Sequence, residues 1–411
     1  MPIKFSGAFT FMYRVIDLFS GAGGFSLGMA MAGFHVKMSI ERDKAAHATF
    51  KANHPPTDQM ALRNDIEAFP MIMLSFTRGI DVVVGGPPCQ PFSEAGLQNP
   101  LDERAHMFKE FVNILKGIEL PQYKRPSAFI FENVEGLAKV RDGADLRAIQ
   151  TALEGCGYHL STKVLDAYDY GVPQRRRRLF IVGSRFRGFE FPHPVPGQER
   201  RTLRDAIGQL PPPTENGEVE VNGEIVTGHQ TLRHSKEVVD RIALIPEGGR
   251  LCDLDLPDAP KAFRGSYARL RWDRPSQTIT SNFSKPSTAR CIHPEQHRGL
   301  TIREAARLQT FPDDFKFHGG KEAVRLQIGN SVPPTLAMHI GLALRQHLEE
   351  NGVPYQDYVA PEIKRPSRED LPWYLTYKQD ERFRVKPSVE QVSEAKVEPF
   401  LTSAEADCWL G

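Results

Sequence analysis

Ile80-Asp81-Val82-Val83-Val84 runs straight into Gly85-Gly86-Pro87-Pro88-Cys89-Gln90-Pro91-Phe92-Ser93, and no other stretch restricts the fold of this chain as strongly. Three successive valines favour a buried strand. The two glycines permit a tight turn, and the prolines stiffen the segment after it. A cysteine is thereby held at the end of a parallel-type strand, the edge at which open α/β sheets place their ligands. An average cysteine is a small buried hydrophobe. Here Pro88 and Pro91 flank Cys89-Gln90 and punctuate the segment too heavily for a core strand or helix. Cys89 therefore reads as a nucleophile rather than a structural thiol.

From about Arg14 to Gly183 short apolar runs alternate with helical patterns. Strands are predicted at Arg14-Val15-Ile16-Asp17-Leu18-Phe19, over 36–40, at Ala128-Phe129-Ile130-Phe131 and over 179–182; helices are predicted over 25–32 and 145–154. Such alternation predicts an α/β fold, a largely parallel sheet with helices on both faces. After Gly183 the prolines at 192, 194, 196 and 211–213 break the periodicity, and no long helix is predicted before about Ile302. The middle of the chain reads as a separate, smaller, loop-rich and mostly β domain. A helix restarts at Thr301-Ile302-Arg303-Glu304, whose Thr and Glu have capping-box spacing. Another after Pro334 is expected to rejoin the first domain. The predicted division is 12–183 completed by 322–350, then 184–321, then a polar extension over 351–411 that holds Trp373, Tyr374 and Trp409 but no interpretable motif.

A chain of 411 residues can bury one large core and a second, smaller one. With a net charge of +1, composition alone does not announce a nucleic-acid binder. Charge is instead local: ten acidic and four basic residues over 215–258, then eight basic residues against Asp273 and Glu295 over 261–298. The five cysteines (89, 156, 252, 291 and 408) form no Cys-x-x-Cys pair, which suits a reducing cytosol and argues against a structural zinc site; no metal is expected. No apolar run reaches the ~20 residues that span a bilayer, and residues 1–14 lack a signal-peptide pattern. Met12 precedes the first strand, so residues 1–11 read as a dispensable leader. A soluble, cytoplasmic protein is expected.

Three constellations carry chemistry. In Asp17-Leu18-Phe19-Ser20-Gly21-Ala22-Gly23-Gly24-Phe25, glycines let the backbone approach a ligand at a helix N-terminus. Nucleotides, flavins and S-adenosylmethionine all use such loops, and a plain tight turn is the alternative. The dinucleotide spacing is absent, because Ser26 stands where its third glycine belongs. Glu41, ending the second strand, suits ribose hydroxyls, with a solvated surface carboxylate as the alternative, and the Asp65-Ile66 pair suits an adenine. In Phe131-Glu132-Asn133-Val134, a carboxylate reaches the same sheet edge as Cys89, pairing a nucleophile with an acid/base group; a helix cap is the alternative. In Gln174-Arg175-Arg176-Arg177-Arg178, alternation puts Arg176 and Arg178 on one side of an extended segment. Arginine there suits phosphates or a carbonyl oxygen, against the usual fate of a solvated charge run.

With Arg303-Glu304-Ala305-Ala306-Arg307-Leu308-Gln309-Thr310-Phe311-Pro312 and Gly329-Asn330-Ser331-Val332 added in order, the series resembles the cytosine-C5 DNA methyltransferases over about Arg14 to Glu350. The resemblance implies a Rossmann-like S-adenosylmethionine-binding catalytic domain (12–183 with 322–350) and a target-recognition domain (184–321). It implies that Cys89 attacks C6 of a cytosine flipped out of duplex DNA. Glu132 then holds N3 and the 4-amino group, Arg178 binds O2 with Arg176 alongside, and residues 93–107 close over the base. Phe19, Gly21, Gly23, Glu41, Asp65, Ile66, Pro88, Asn330 and Val332 match cofactor-contacting positions. Arg42 departs from the pattern, since a tryptophan often stacks on adenine there.

The expected partner is double-stranded DNA, met by a monomer, with Arg269 and Arg271 of the basic segment facing it. The alternative for these two arginines is bracing of the small domain. The resemblance leaves room for a cognate restriction endonuclease acting separately and suggests a prokaryotic, nucleoid-associated enzyme. Competing readings are the transfer-RNA branch of the fold, disfavoured by the roughly 115 residues between Gly183 and Leu300, a catalytically dead homologue, disfavoured by intact Cys89, Glu132 and Arg178, and an NAD- or FAD-dependent oxidoreductase, disfavoured by Ser26.

Overall fold

The computed structural model describes residues 13–54, 60–63, 66, 79–88, 107–117, 125–254 and 266–354. Cys89, Asp65, the expected closing loop over 93–106, Lys261, Arg264, the leader and the extension from 355 onward lie outside the described residues.

Seven strands form one sheet: β1 (Arg14–Leu18), β2 (His35–Ile40), β3 (Met60–Leu62), β4 (Val82–Gly85), β5 (Ala128–Val134), β6 (His159–Asp166) and β7 (Arg177–Ser184), in the order β3-β2-β1-β4-β5-β7-β6. Neighbours from β3 to β5 pair in parallel, whereas β7 runs antiparallel to both β5 and β6. The valine run shows why the centre has this character. Val82 and Val84 point into one core and Val83 into the other, and all three are fully buried. A strand covered on both faces needs a continuous apolar run, not an alternating one.

The first face is covered by α1 (Gly24–Met31) and α9 (Pro334–Glu350), through Phe25, Met29, Leu336, Ile340 and Leu344. Gly28 lets those helices meet: a Cβ there would lie 2.4 Å from Ala337 Cβ and from Pro334 O. The expected return of a helix after Pro334 to the first domain is observed, with Pro334 at the first helical position. The second face is covered by α3 (Met107–Gly117) and α4 (Ala144–Glu154), through Phe111, Leu115, Ile149 and Leu153. Between β2 and β3 lies α2 (Lys44–Asn53), capped by Asp43, which accepts from Ala46 N.

The middle region is loop-rich, as its prolines require, but its regular structure is not mostly β. Among the described residues it holds α5 (Leu203–Ile207), a hairpin of two three-residue strands, β8 (Val219–Val221) and β9 (Glu224–Val226), and α6 (Lys236–Ala243), with isolated bridges elsewhere. Among the described residues, its proline and glycine breaks leave no strand longer than three residues. Residues from this region join α7 (Ile302–Leu308) and α8 (Lys321–Asn330) in a third core around Leu270, Ile279, Phe283, Leu308 and Ile328, which also takes in Leu27 of α1. Among the described residues no helix is long and apolar enough to cross a membrane.

Candidate active site

Strand order reverses between β1 and β4, and in open α/β sheets the crevice at that switch point takes the ligand. Two loops line it, residues 19–23 after β1 and residues 86–88 after β4. In the first, Phe19 and Gly21 have left-handed backbones, φ 59° and 56°. Gly21 N donates to Glu41 Oε2 at 2.8 Å, and Glu41 Oε1 accepts from Asp43 N at 2.8 Å. Glu41 therefore ties the glycine loop to the end of β2, and burial raises its carboxyl above the usual range. A Cβ on Gly21 would meet nothing within 4 Å, so the loop opens on space beside the half-buried Phe19, which packs in the same core as Ile66. A carboxylate, an aromatic edge and an open glycine backbone together fit a nucleoside with a ribose diol.

The opposite wall comes from the C-terminal part of the chain. A Cβ on Gly24 would lie 2.6 Å from Val332 O and 3.3 Å from Ser331 Cβ, so the loop over 329–333 packs directly on the start of α1. Val332 is buried there, and Asn330 is exposed at the end of α8. Phe19, Gly21, Gly23, Glu41, Ile66, Pro88, Asn330 and Val332 thus all lie on elements around this end of the sheet.

Next to it is the acid–base side. Glu132, in β5, is buried, with Oε1 3.2 Å from Arg178 Nε. Its carboxylate also reaches the β4 loop, because a Cβ on Gly86 would fall 2.8 Å from Glu132 Oε2. Asn133 Nδ2 donates to Pro87 O at 3.4 Å. The loop ending at Pro88, one residue before Cys89, is thus fastened to the Glu132 strand. Burial pushes the Glu132 carboxyl above its usual range, and the charges of Arg178 and Arg176 pull it back. Arg178 also donates from Nη1 to Arg177 O at 2.8 Å. Arg176 is buried, its backbone N donates to Asp166 Oδ1 at 3.1 Å, and its Nη1 donates to Ile279 O at 3.2 Å. Arg175 and Arg177 point outward to Asp166 and Glu135. The expected alternation of the arginine string is what the backbone delivers.

Arg269 requires a correction. It was expected to face DNA, but it is buried, and its guanidinium donates to the carbonyls of Ile245 (2.7 Å), His293 (2.9 Å), Pro294 (3.2 Å), Gln296 (3.3 Å) and Ile242 (2.7 Å). The carbonyls of Ile242 in the last turn of α6 and of Ile245 just beyond it point toward Arg269 and draw it inward. Arg271, two residues on, is half exposed and forked onto Asp273 at 2.9 and 2.8 Å.

Two further residues went unrecognised in the sequence. Asp17, fully buried at the end of β1, accepts from Ser26 Oγ at 2.5 Å and has its carboxyl pushed up to about 7, burial outweighing that bond. Its acidic letter within the glycine motif was the available signal. His54 stacks on Phe50 with centroids 4.3 Å apart, and a Cβ on Gly23 would lie 2.6 Å from its Nε2. Burial lowers its imidazole to about 4. Nothing local in the sequence marks that contact.

The family described as C-5 cytosine-specific DNA methylase matches residues 13–346. The Type II methyltransferase M1.HphI of Haemophilus parahaemolyticus is 39% identical over 339 residues, covering 80% of this chain and 86% of that one. The Type II methyltransferase M.PspPI of Psychrobacter sp. (strain TA137) is 36% identical over 348 residues, covering 81% and 79%. Among solved structures, a protein assigned as a prophage-encoded DNA modification methyltransferase of E. coli superposes with a TM-score of 0.66 at 29% identity, covering 82% of this chain and 99% of that one. The Dnmt2 methyltransferase of S. pombe, at 19% identity and a TM-score of 0.50, shares the fold.

Proposed function

The chain belongs to the C-5 cytosine-specific DNA methylases, and from that footing we propose how its residues divide the work of methylating cytosine in DNA. Cys89 is the nucleophile: its thiolate bonds to C6, and the C5–C6 π pair moves to C5. Glu132 holds N3 and the 4-amino group and protonates N3, so that negative charge does not build on the ring. Arg178, with Arg176 alongside, donates to O2. S-adenosylmethionine, when bound among Phe19, Gly21, Gly23, Glu41, Asp65, Ile66, Pro88, Asn330 and Val332, supplies an electrophilic methyl to C5. The N3 proton returns to Glu132, water or hydroxide takes the C5 proton, and the C5–H pair restores the C5–C6 double bond as the Cys89 thiolate leaves. The target base leaves the helix first, because none of these groups reaches C6 inside a stacked duplex; unstacking costs about a few kcal/mol.

The observation that supports this division best is the convergence on Glu132. Its carboxylate touches Arg178 on one side and the Gly86 backbone on the other, three residues before Cys89. In this reading the middle region over 184–321 is the target-recognition part, and a cognate restriction endonuclease acts separately; the relatives' printed description as Type II methyltransferases supports a restriction–modification role.

The test is covalent. Wild-type protein on duplex DNA carrying 5-fluorocytosine at methylated positions, located by bisulfite sequencing of plasmid from expressing cells, is expected to form an SDS-stable adduct. Cys89→Ser is expected to form none and to keep its affinity for S-adenosylhomocysteine. Substantial methylation by Cys89→Ser overturns the assignment.

A further inference from the structure

Gln174 and Gln309 are fully buried, and together they join three segments that are distant in the chain. Gln174 Oε1 accepts from Ile279 N at 2.8 Å, and its Nε2 donates to Leu308 O at 3.2 Å and to Gln309 Oε1 at 3.0 Å. Gln309 Nε2 donates onward to Ile328 O at 2.7 Å. The amide of residue 279 is thus gripped on both sides, its N–H by Gln174 and the carbonyl of the same residue by Arg176.

Residues 276–281 belong to the middle region yet lie against the arginine segment. Arg175 N donates to Ser276 O at 2.8 Å, Ser276 N donates to Pro173 O at 2.9 Å, and Thr278 Oγ1 donates to Arg175 O at 2.7 Å. Their far end presses on the other wall of the site. A Cβ on Gly329 would lie 2.4 Å from Ser281 N and 2.7 Å from Thr280 C. Gly329 sits in the last turn of α8, which carries Asn330 and leads into the loop with Val332. Gln309 therefore stands where the middle region, the Arg176 strand and the cofactor-side loop meet. The next residue, Thr310, fixes the far end of that loop by accepting from Thr335 N at 3.1 Å.

We infer that Gln309, working through Gln174, is a positioning residue that couples occupancy of the target-recognition region to affinity at the cofactor site. This rests on the assignment of Asn330 and Val332 to that site. A chain of buried, mutually hydrogen-bonded amides with no solvent-facing end transmits a displacement of residues 276–281 to Ile328 and Gly329. Coupling of this kind is reciprocal and is read as a ratio of affinities.

Affinity for S-adenosylhomocysteine is measured with and without saturating unmethylated plasmid DNA. In the wild type, DNA is expected to tighten binding by about fivefold or more. Gln309→Met keeps the side-chain length and removes both amide contacts. It is expected to bring the ratio close to one while DNA-free affinity stays within about twofold of wild type. Should Gln309→Met fail to fold, Gln174→Met breaks the same contact from the other side and is expected to give the same result. An unchanged ratio in a folded variant, a wild-type ratio of one, or loss of affinity already without DNA each overturns the inference. Failure of the underlying site assignment looks different: the wild type then binds no S-adenosylhomocysteine at all.

Discussion

Glu132 and Arg178 meet diagonally across β5 and β7: Oε1 lies 3.2 Å from Nε, although the ladder pairs Glu132 with Phe180 and Arg178 with Val134. Both residues sit at the strand end where the β4 loop arrives. The antiparallel entry of β7 makes this possible, because it brings the first residues of that strand to the last residues of β5.

The pH dependence of methylation follows from this pair. Burial raises the Glu132 carboxyl, and Arg178 ahead of Arg176 lowers it. Arg178→Ala removes the larger of these opposing charges, so the carboxyl rises further and its protonated form persists to higher pH. The alkaline limb of the single-turnover rate is expected to move upward in Arg178→Ala, and Glu132→Gln is expected to lose about 10²–10⁴ in rate. A limb that stays in place removes Arg178 from control of the carboxyl.

Arg269 and Arg271 should separate cleanly. Arg269→Ala removes a buried donor shared by five carbonyls, of which Ile242 O and Gln296 O keep backbone donors from Ile245 and Arg298. It is expected to destabilise the protein by about 3 kcal/mol or more, seen as a lowered urea midpoint. Arg271→Ala, at an exposed pair with Asp273, is expected to leave that midpoint in place and flatten the dependence of DNA affinity on salt. Equal midpoints for the two variants would reverse their roles.

The same two arginines mark where the sequence stops being informative. Arg-Leu-Arg alternation puts them on one side of an extended segment, but only the tertiary position of α6 decides which one is drawn in. The valine run, by contrast, was legible because burial on both faces leaves a continuous apolar signature. The edge strand β6 has none: among the described residues it pairs only with β7, and five of its eight residues are polar or charged. Helix α6 escaped for a similar reason. It buries Ile242 and otherwise relies on the Ser235 cap and the Lys236–Asp240 and Glu237–Arg241 pairs. Glu132 and Arg178 were readable as chemistry because strand ends carry ligands, whereas Gln309 was readable only as a motif letter until its amide contacts were placed.

Glu304 gives a stability test with a defined sign. Burial alone would raise its carboxyl, but Arg298 forks onto both oxygens at 2.7 and 2.8 Å, and with His293 and His229 it holds the group at about 2 against an ordinary 4.5. A depressed carboxylate stabilises the fold above its unfolded value, and that stability is lost as pH falls from 4.5 toward 2. Glu304→Gln, which strands the buried Arg298, is expected to cost about 3–5 kcal/mol at neutral pH. The gap from wild type should narrow steadily below pH 4.5, as urea midpoints across that window would show. A gap independent of pH means the pair is not what Glu304 contributes.

Thr310 offers the last test, because two opposing effects meet in one residue. Helix α7 ends with Phe311 N donating to Ala306 O and Thr310 N to Arg307 O, at 2.9 Å each, a Schellman ending whose left-handed position glycine usually fills. Thr310 occupies it at φ 66° and is fully buried. A β-branched residue there carries strain of about 1–2 kcal/mol. In return its Oγ1 accepts from Thr335 N, capping α9, whose own cap position is Pro333 and has no side-chain acceptor. Such a cap contributes about 0.5–2 kcal/mol. Thr310→Gly loses the cap and relieves the strain, so its urea midpoint is expected to lie near wild type. Thr310→Ala loses the cap and keeps the left-handed backbone, and should fall about 1 kcal/mol below Thr310→Gly. If alanine and glycine were equally stable, the left-handed backbone would carry no strain, and Thr310 would matter for its hydroxyl alone.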